Sequence, residues 1–391
     1  MFISVEIYTK QNKKQYFYIM DMHLSYWEIK NWFSQVDFAI VGSGIVGLHC
    51  ALRLREKYPK AKILVLEKGI LPQGASTKNA GFACFGSLSE ILDDLNTHTE
   101  EQVIALVEKR WQGLQLLRKN LGDVAIDFKP HGGYELFLKD DEAFYNQCLQ
   151  RLPFVNELLK PIFKNEVFSK EIDRFEFGTC HEHLIFNPYE AQIDTGNMMQ
   201  ALLKKAYEND ILILNHATVS SFTEQQSGVK IIINNYEFTA HELLFATNGF
   251  ASEITQNEVK PARAQVLITT PIPNLDIRGT FHLDRGYYYF RNYENRILLG
   301  GGRNLDYEGE TTTNLNQTEL IQNKLEQLLK EVILPQYNYS IEHRWSGIMG
   351  VGNSKQPIVK QLSNHVYCGV RMGGMGVAIG SLIGSELADL V

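Results

Sequence analysis

The chain reads as an α/β protein: a doubly wound domain into which an α+β domain built on an antiparallel sheet is inserted. A short apolar run over residues 36–41 ends in a glycine turn, and an amphipathic helical pattern and a second apolar run follow it at once. Through the middle of the chain strand-like segments outnumber helical ones, and the C-terminus returns to a helix. With 391 residues the chain has room for two or three domains, each with a sizeable core.

The first 35 residues form an extension, with an alternating stretch ISVEIY that suits an edge strand or belongs to an early start, and a short helical pattern at Ser25 to Glu28. VDFAIV, 36–41, is a buried parallel strand, and Ile45 to Tyr58 is a helix whose apolar side carries Val46, Leu48, Ala51, Leu52 and Leu54 and which Pro59 stops. KILVLEKG, 62–69, completes a βαβ unit. Helical periodicity then covers Glu100 to Asn120 and 141–161, the latter broken at Pro153. Strands or hairpins are expected at 131–138, 230–239, 242–247, 264–270, 286–301 and 364–370, and helices at Asp194 to Asn209, Gln317 to Leu334 and Gly376 to Leu390. On this reading residues 36–90, 190–257 and 341–391 make the nucleotide-binding domain, and 91–189 and 258–340 the substrate domain.

Composition removes several classes. Thirty-eight Lys and Arg against 45 Asp and Glu give a net charge of −7 with no basic stripe, which argues against nucleic acid as a partner. No window approaches the ~20 apolar residues that span a bilayer, so no integral membrane segment and a cytoplasmic location are expected. Cys50, Cys84, Cys148, Cys180 and Cys368 are scattered, odd in number and without histidines at metal-ligand spacing, so reduced thiols and no metal site are expected.

Gly42-Ser43-Gly44-Ile45-Val46-Gly47 fits GxGxxG. The first glycine permits the turn, the second lets backbone amides approach a pyrophosphate, and the third lets the helix pack closely on the sheet. Glu67, followed by Lys68, ends the next strand where a carboxylate meets the ribose hydroxyls, which disfavours a 2′-phosphate and hence NADP. The next segment enters a loop of small residues, Gly74 to Gly81, in which Ser76, Thr77, Lys78, Asn79 and Ala80 offer many donors and little bulk, a surface that can lie against a second phosphate and a flat ring.

The GxGxxG with its acidic strand end, the GAS-x-K-N-A-G loop at Gly74 to Gly81, and GGMGVAIGSLIG at Gly373 to Gly384 together resemble the D-amino-acid oxidase superfamily, nearest its glycine, sarcosine and γ-glutamylputrescine oxidase branch. The resemblance runs from about Val36 to Val391. It implies a Rossmann-like domain holding FAD, with the ring system between the two domains, Val219 on the adenine side, and Asn248 and Gly249 closing the same domain. Where covalent relatives carry a cysteine after HRWSG, this chain has Ile348 and Met349, so noncovalent FAD is expected. Gly373, Gly374, Met375 and Gly376 are expected to offer amides at the start of the last helix, where the helix dipole favours the negative charge of a reduced ring.

The resemblance also implies a carboxylate-clamping arginine and a supporting tyrosine. Tyr288 in GYYYF is the tyrosine candidate, with Tyr287 and Tyr289 on alternate faces. Where relatives carry W-x-G-L-R-P this chain places Met349, which puts a simple amino-acid substrate in doubt; Arg371 and Arg344 are the substitutes considered. The expected activity is oxidation of a C–N bond of an amine or amino acid by hydride transfer to the flavin, giving an imine that hydrolyses, with an electron acceptor the sequence does not identify. A 2-hydroxy-acid or polyol dehydrogenase and a non-catalytic flavin-binding module are the alternatives.

Overall fold

The computed structural model describes residues 23–391 and, ahead of them, two short strands, Ser4–Ile7 and Gln15–Tyr18. The ISVEIY strand is thus half of a separate antiparallel hairpin and joins neither large sheet. Ser25 opens the next helical segment, Tyr26–Glu28, with a reciprocal capping box to Glu28, and the π turn Ile29–Phe33 drops Phe33 against Tyr236 and Phe238 of the first sheet.

Two eight-stranded sheets carry the fold. The first is centred on Val36–Val41, which pairs in parallel with Ile63–Leu66 on one side and with the second half of Tyr236–Phe245 on the other. Leu212–Leu214 and Val366–Val370 extend the parallel core at its two ends. The sequence reading splits 230–239 from 242–247, but Tyr236–Phe245 is one continuous strand. Its first half closes an antiparallel meander with Gly228–Ile233 and Val219–Gln225, while its second half enters the parallel core. Burial dictates which pattern each half shows: the parallel strands read as unbroken apolar runs, whereas Tyr236 to His241 alternates.

Helices Ile45–Lys57 and Gly376–Ala388 pack on this sheet and on each other, and Glu100–Leu121 packs on Gly376–Ala388. These contacts are close because glycines form them: a Cβ on Gly384 would sit 2.8 Å from the Cβ of His49, and one on Gly113 3.0 Å from the Cα of Ile379. Leu106, Leu114 and Leu117 of Glu100–Leu121 therefore belong to the core of the first sheet, although the sequence reading assigns 91–189 wholly to the substrate domain.

The second sheet runs Ile341–Val351, Lys260–Thr269, Arg296–Gly301, Tyr288–Tyr293, Thr280–Leu283, Gly133–Leu136, His183–Asn187 and Ser169–Ile172, antiparallel except for the pair Thr280–Leu283 and Gly133–Leu136. A core of Phe281, Phe290, Tyr288 and Leu299 fills one face under Glu319–Leu328. Ile341–Val351 bonds along its whole length to Lys260–Thr269, so it lies in the second sheet, and the expected domain boundary at 340/341 is corrected to beyond residue 351. The helix expected to break at Pro153 runs unbroken as Glu142–Phe163. Pro153 faces solvent, on the side where a helix tolerates the loss of one backbone bond. No helix among the described residues is long and apolar enough to cross a membrane.

Candidate active site

A cavity of about 1010 Å³ lies between the two sheets, lined from one side by residues 41–46, Glu67 and Lys68 and from the other by Ala264, Val266, Tyr289 and Ile348. At its first end the strand Val36–Val41 turns through Gly42, whose φ of +107° only glycine adopts without strain, into the N-terminus of Ile45–Lys57. Glu67 is buried below this turn and accepts from the Ser43 hydroxyl at 2.7 Å, the Ser43 amide at 3.2 Å and the Gly69 amide at 2.9 Å. Ser76 reaches in from the small-residue loop and accepts the Ile45 amide at 2.9 Å. A Cβ on Gly44 would lie 2.7 Å from the Ser76 hydroxyl, so this glycine keeps open the space in front of the helix amides. Gly47 packs against Gly42 and does not line the cavity.

The Gly74 to Gly81 loop is built from within and pinned from without. Asn79 donates to the Ser76 carbonyl at 2.8 Å, accepts the Gly81 amide at 2.9 Å and accepts the Thr195 hydroxyl at 2.9 Å. Trp345 donates its indole N–H to the Lys78 carbonyl at 2.9 Å, and the buried guanidinium of Arg291 donates to the carbonyls of Ala80 and, at 3.0 Å, Ile193. Burial depresses Arg291 to about 10, still charged at neutral pH. Ser76, Lys78, Asn79 and Ala80 line the cavity, whereas Thr77 turns back to the Pro72 carbonyl and Gly81 packs under Arg291. The Lys78 ammonium makes no hydrogen bond or ion pair among the described residues.

The start of the last helix is partly spent on the fold. Of the four amides expected to be open, that of Gly373 bonds the Gly350 carbonyl at 3.1 Å and that of Met375 bonds the Met372 carbonyl at 3.0 Å, leaving Gly374 and Gly376. Asn248 also lines the cavity and accepts the Met372 amide at 3.1 Å, while Gly249 packs beneath Met349 outside it. Val219 lines the cavity beside the meander.

The three substrate-binding candidates are corrected. Tyr288 points into the apolar core with Phe281 and Phe290, because strand alternation sends its neighbours Tyr287 and Tyr289 to the cavity instead. Arg344 faces the other way and donates to Gln322 at 2.6 Å and Glu326 at 2.8 Å. Arg371 clamps the carbonyls of Gln356 at 2.8 Å and Glu258 at 3.4 Å, and so acts in the fold. The cavity wall carries a different arginine, Arg303, which follows the strand Arg296–Gly301. Its guanidinium stacks 4.8 Å over the Tyr307 ring and makes no hydrogen bond or ion pair among the described residues. Tyr307 in turn donates to the hydroxyl of Tyr287 at 2.6 Å. Sequence reading missed Arg303 because its only local signal is GGGR, a glycine corner that brings the arginine back to Tyr287: the Gly302 amide bonds the Tyr287 carbonyl at 2.9 Å.

The sequence pattern of the DAO family, described as FAD dependent oxidoreductase, matches residues 37–390. The chain belongs to the DAO family of FAD-dependent oxidoreductases. It is 24% identical over 382 residues to gamma-glutamylputrescine oxidoreductase of Escherichia coli, covering 91% of this chain and 83% of that one. To the probable oxidoreductase OrdL of Haemophilus influenzae it is 19% identical over 379 residues, covering 91% and 82%. Among solved structures, L-proline dehydrogenase from P. horikoshii superposes with a TM-score of 0.72 at 20% identity over 91% of this chain and 93% of that one. Glycine oxidase from Geobacillus kaustophilus gives 0.71 at 17% over 90% and 94%. The fold class, the family and the oxidoreductase class read from the sequence all hold.

The donor set of this DAO-family oxidoreductase suits FAD: a glycine cradle that a side chain would fill, a buried carboxylate below it, and an unpaired lysine on the loop. The opposite wall is charged. His282, fully buried, bonds Glu190 at 2.9 Å through Nε2, and its Nδ1 lies 3.6 Å from Glu90. Burial opposes its charge, but Glu190, Glu90 and Glu135 together outweigh burial and push it up to about 9. Glu135, the register partner of His282, accepts from the hydroxyls of Ser87 and Ser89 and is pushed up to about 7 by burial, which those bonds only partly offset.

Two outcomes are expected. Gly44→Val fills the cradle while leaving the helix and sheet intact, so the variant should melt near the wild type but emerge from gel filtration without flavin absorbance. An unfolded histidine titrates near 6.5, so the folded state holds the His282 proton more tightly; its contribution is complete below pH 6.5 and is lost as pH rises through about 9. Thermal midpoints should therefore fall across that window, and His282→Gln should flatten the fall.

Proposed function

We propose that this oxidoreductase oxidises a C–N bond of an amine or amino acid to an imine, which water hydrolyses. The observation that carries this reading is Arg303, a guanidinium on the cavity wall without a hydrogen bond or ion pair among the described residues, held by stacking on Tyr307 beside the paired hydroxyls of Tyr287 and Tyr307. A planar fork of donors at such a place suits a carboxylate, and it supplies the charge that Met349 does not. FAD, when bound, supplies the two-electron acceptor.

The residues divide the remaining work. The amides in front of Gly44 and the hydroxyl of Ser76 hold the pyrophosphate, Glu67, itself oriented by Ser43, the ribose, and Val219 the adenine side. Lys78, Asn79 and Ala80 hold the flavin end, and the amides of Gly374 and Gly376 face developing negative charge there. The second sheet, with the helices that cover it, is the substrate domain, and Tyr289, half-buried edge-on against Phe82, shapes the apolar part of the pocket. The flavin is held noncovalently: Cys84 is the one cysteine on the cavity wall, and burial, reinforced by Glu190 and Glu90, keeps its thiol protonated and unreactive.

Anaerobic addition of amines, N-methyl and D-amino acids, and hydroxy acids to the holoenzyme tests the reaction. At least one class of amine in the panel should bleach the flavin band, and bleaching by hydroxy acids alone would overturn the assignment. Arg303→Met should keep flavin and fold but raise KM for those amines about 10- to 100-fold, the cost of one charge-assisted contact of about 1.5–3 kcal/mol. Acid precipitation should leave a colourless pellet and all flavin in the supernatant.

A further inference from the structure

Glu90 sits on the same wall as Arg303 with half of its carboxylate unused. It is the third residue of Leu88–Leu95, and Oε2 closes the capping box by accepting the Ser87 amide at 2.9 Å. Oε1 has no hydrogen-bond partner among the described residues. It lies over Gly286, where a Cβ would come within 2.7 Å of it, and the carboxylate borders the cavity. Of the nearby cations, His282 is shared, bonding Glu190 at 2.9 Å through Nε2 with Nδ1 3.6 Å from Glu90 Oε2, while Arg110 donates to the Phe85 carbonyl at 2.7 Å, Arg285 pairs with Asp284 at 3.1 Å and Lys355 pairs with Asp94; none of them reaches Oε1.

Glu90 and Arg303 flank one side chain. Gly286, under Glu90, precedes Tyr287; the Tyr287 carbonyl receives the amide next to Arg303, and its hydroxyl meets Tyr307, on which Arg303 stacks. A carboxylate oxygen and a guanidinium, both without a partner among the described residues, on either side of a tyrosine suit a ligand group that carries a negative and a positive charge close together.

We infer that this wall is a subsite for an amino-acid head group, with Arg303 taking its carboxylate and Glu90 its ammonium. The inference rests on the proposed role of Arg303. It has a chemical consequence for the substrate. An amine gives up its C–H electrons as the free base, and a carboxylate bonded to it holds it as the ammonium, which has no lone pair to assist. The nitrogen at Glu90 is therefore not the one oxidised, and the substrate is an amino acid with a second, reacting nitrogen further along its chain.

Matched probes on the holoenzyme test this through perturbation of the flavin spectrum. Hexanoate carries the carboxylate alone, and DL-norleucine adds the α-ammonium to the same carbon chain. The wild type should bind norleucine about tenfold more tightly than hexanoate, without bleaching of the flavin, and Glu90→Gln should erase that preference while hexanoate affinity holds. Glutamine keeps the acceptor of the capping box, so the variant should fold and retain flavin. Arg303→Met should weaken both probes together. An unchanged preference in Glu90→Gln, equal or undetectable binding of the two probes by the wild type, or bleaching by norleucine would each overturn the inference. Failure of every amine to bleach the flavin would instead strike the proposed reaction, with the ratio of the probes still reporting on the subsite.

Discussion

The seam between the two sheets depends on Arg291. Its guanidinium leaves the second sheet and donates to the carbonyls of Ala80, in the small-residue loop, and of Ile193, whose side chain lies in the core of the first sheet. Without that charge two carbonyls would be buried unpaired, at about 1–3 kcal/mol each. With it, the Gly74 to Gly81 loop is fixed against the strand Tyr288–Tyr293, and that fixes Ser76 in front of the helix Ile45–Lys57. The same strand carries Phe290 in its core, so the apolar packing of the second sheet and the polar wall of the cavity are set by one backbone.

A second tie crosses at the far end. The Gly373 amide on the Gly350 carbonyl joins the start of the last helix to Ile341–Val351, and Asn248 holds the adjoining Met372 amide. Met349 lies in this junction, its sulfur 3.3 Å from where a Cβ on Gly374 would be. Met349, where the sequence resemblance implies an arginine, thus serves here as apolar packing against a glycine turn, and Arg303 enters the cavity wall from the corner after Arg296–Gly301.

The βαβ unit from Val36 to Gly69 was legible because its signals are local: unbroken apolar strands, a helix with one apolar face, and glycines at fixed offsets. The loop at Gly74 to Gly81 was legible from its small, donor-rich composition. Three kinds of information were not. Tyr287, Tyr288 and Tyr289 alternate, and the sequence does not state which phase faces the core. Arg291, Arg303 and Glu90 act through partners set by tertiary packing, which no spacing encodes. The strand Ile341–Val351 was placed with the wrong sheet because the turn that separates the two sheets comes after it, at residues 352–357, and not before it.

The two charges of the proposed subsite stand outside the hydrophobic cores. Arg303 follows a glycine corner, and Glu90 sits in the first turn of an eight-residue helix; neither fills a core position. The catalytic chamber can therefore be re-addressed by exchanging one or two side chains while both sheets keep every packing partner. A scaffold organised in this way can diverge toward new metabolites faster than it loses its shape.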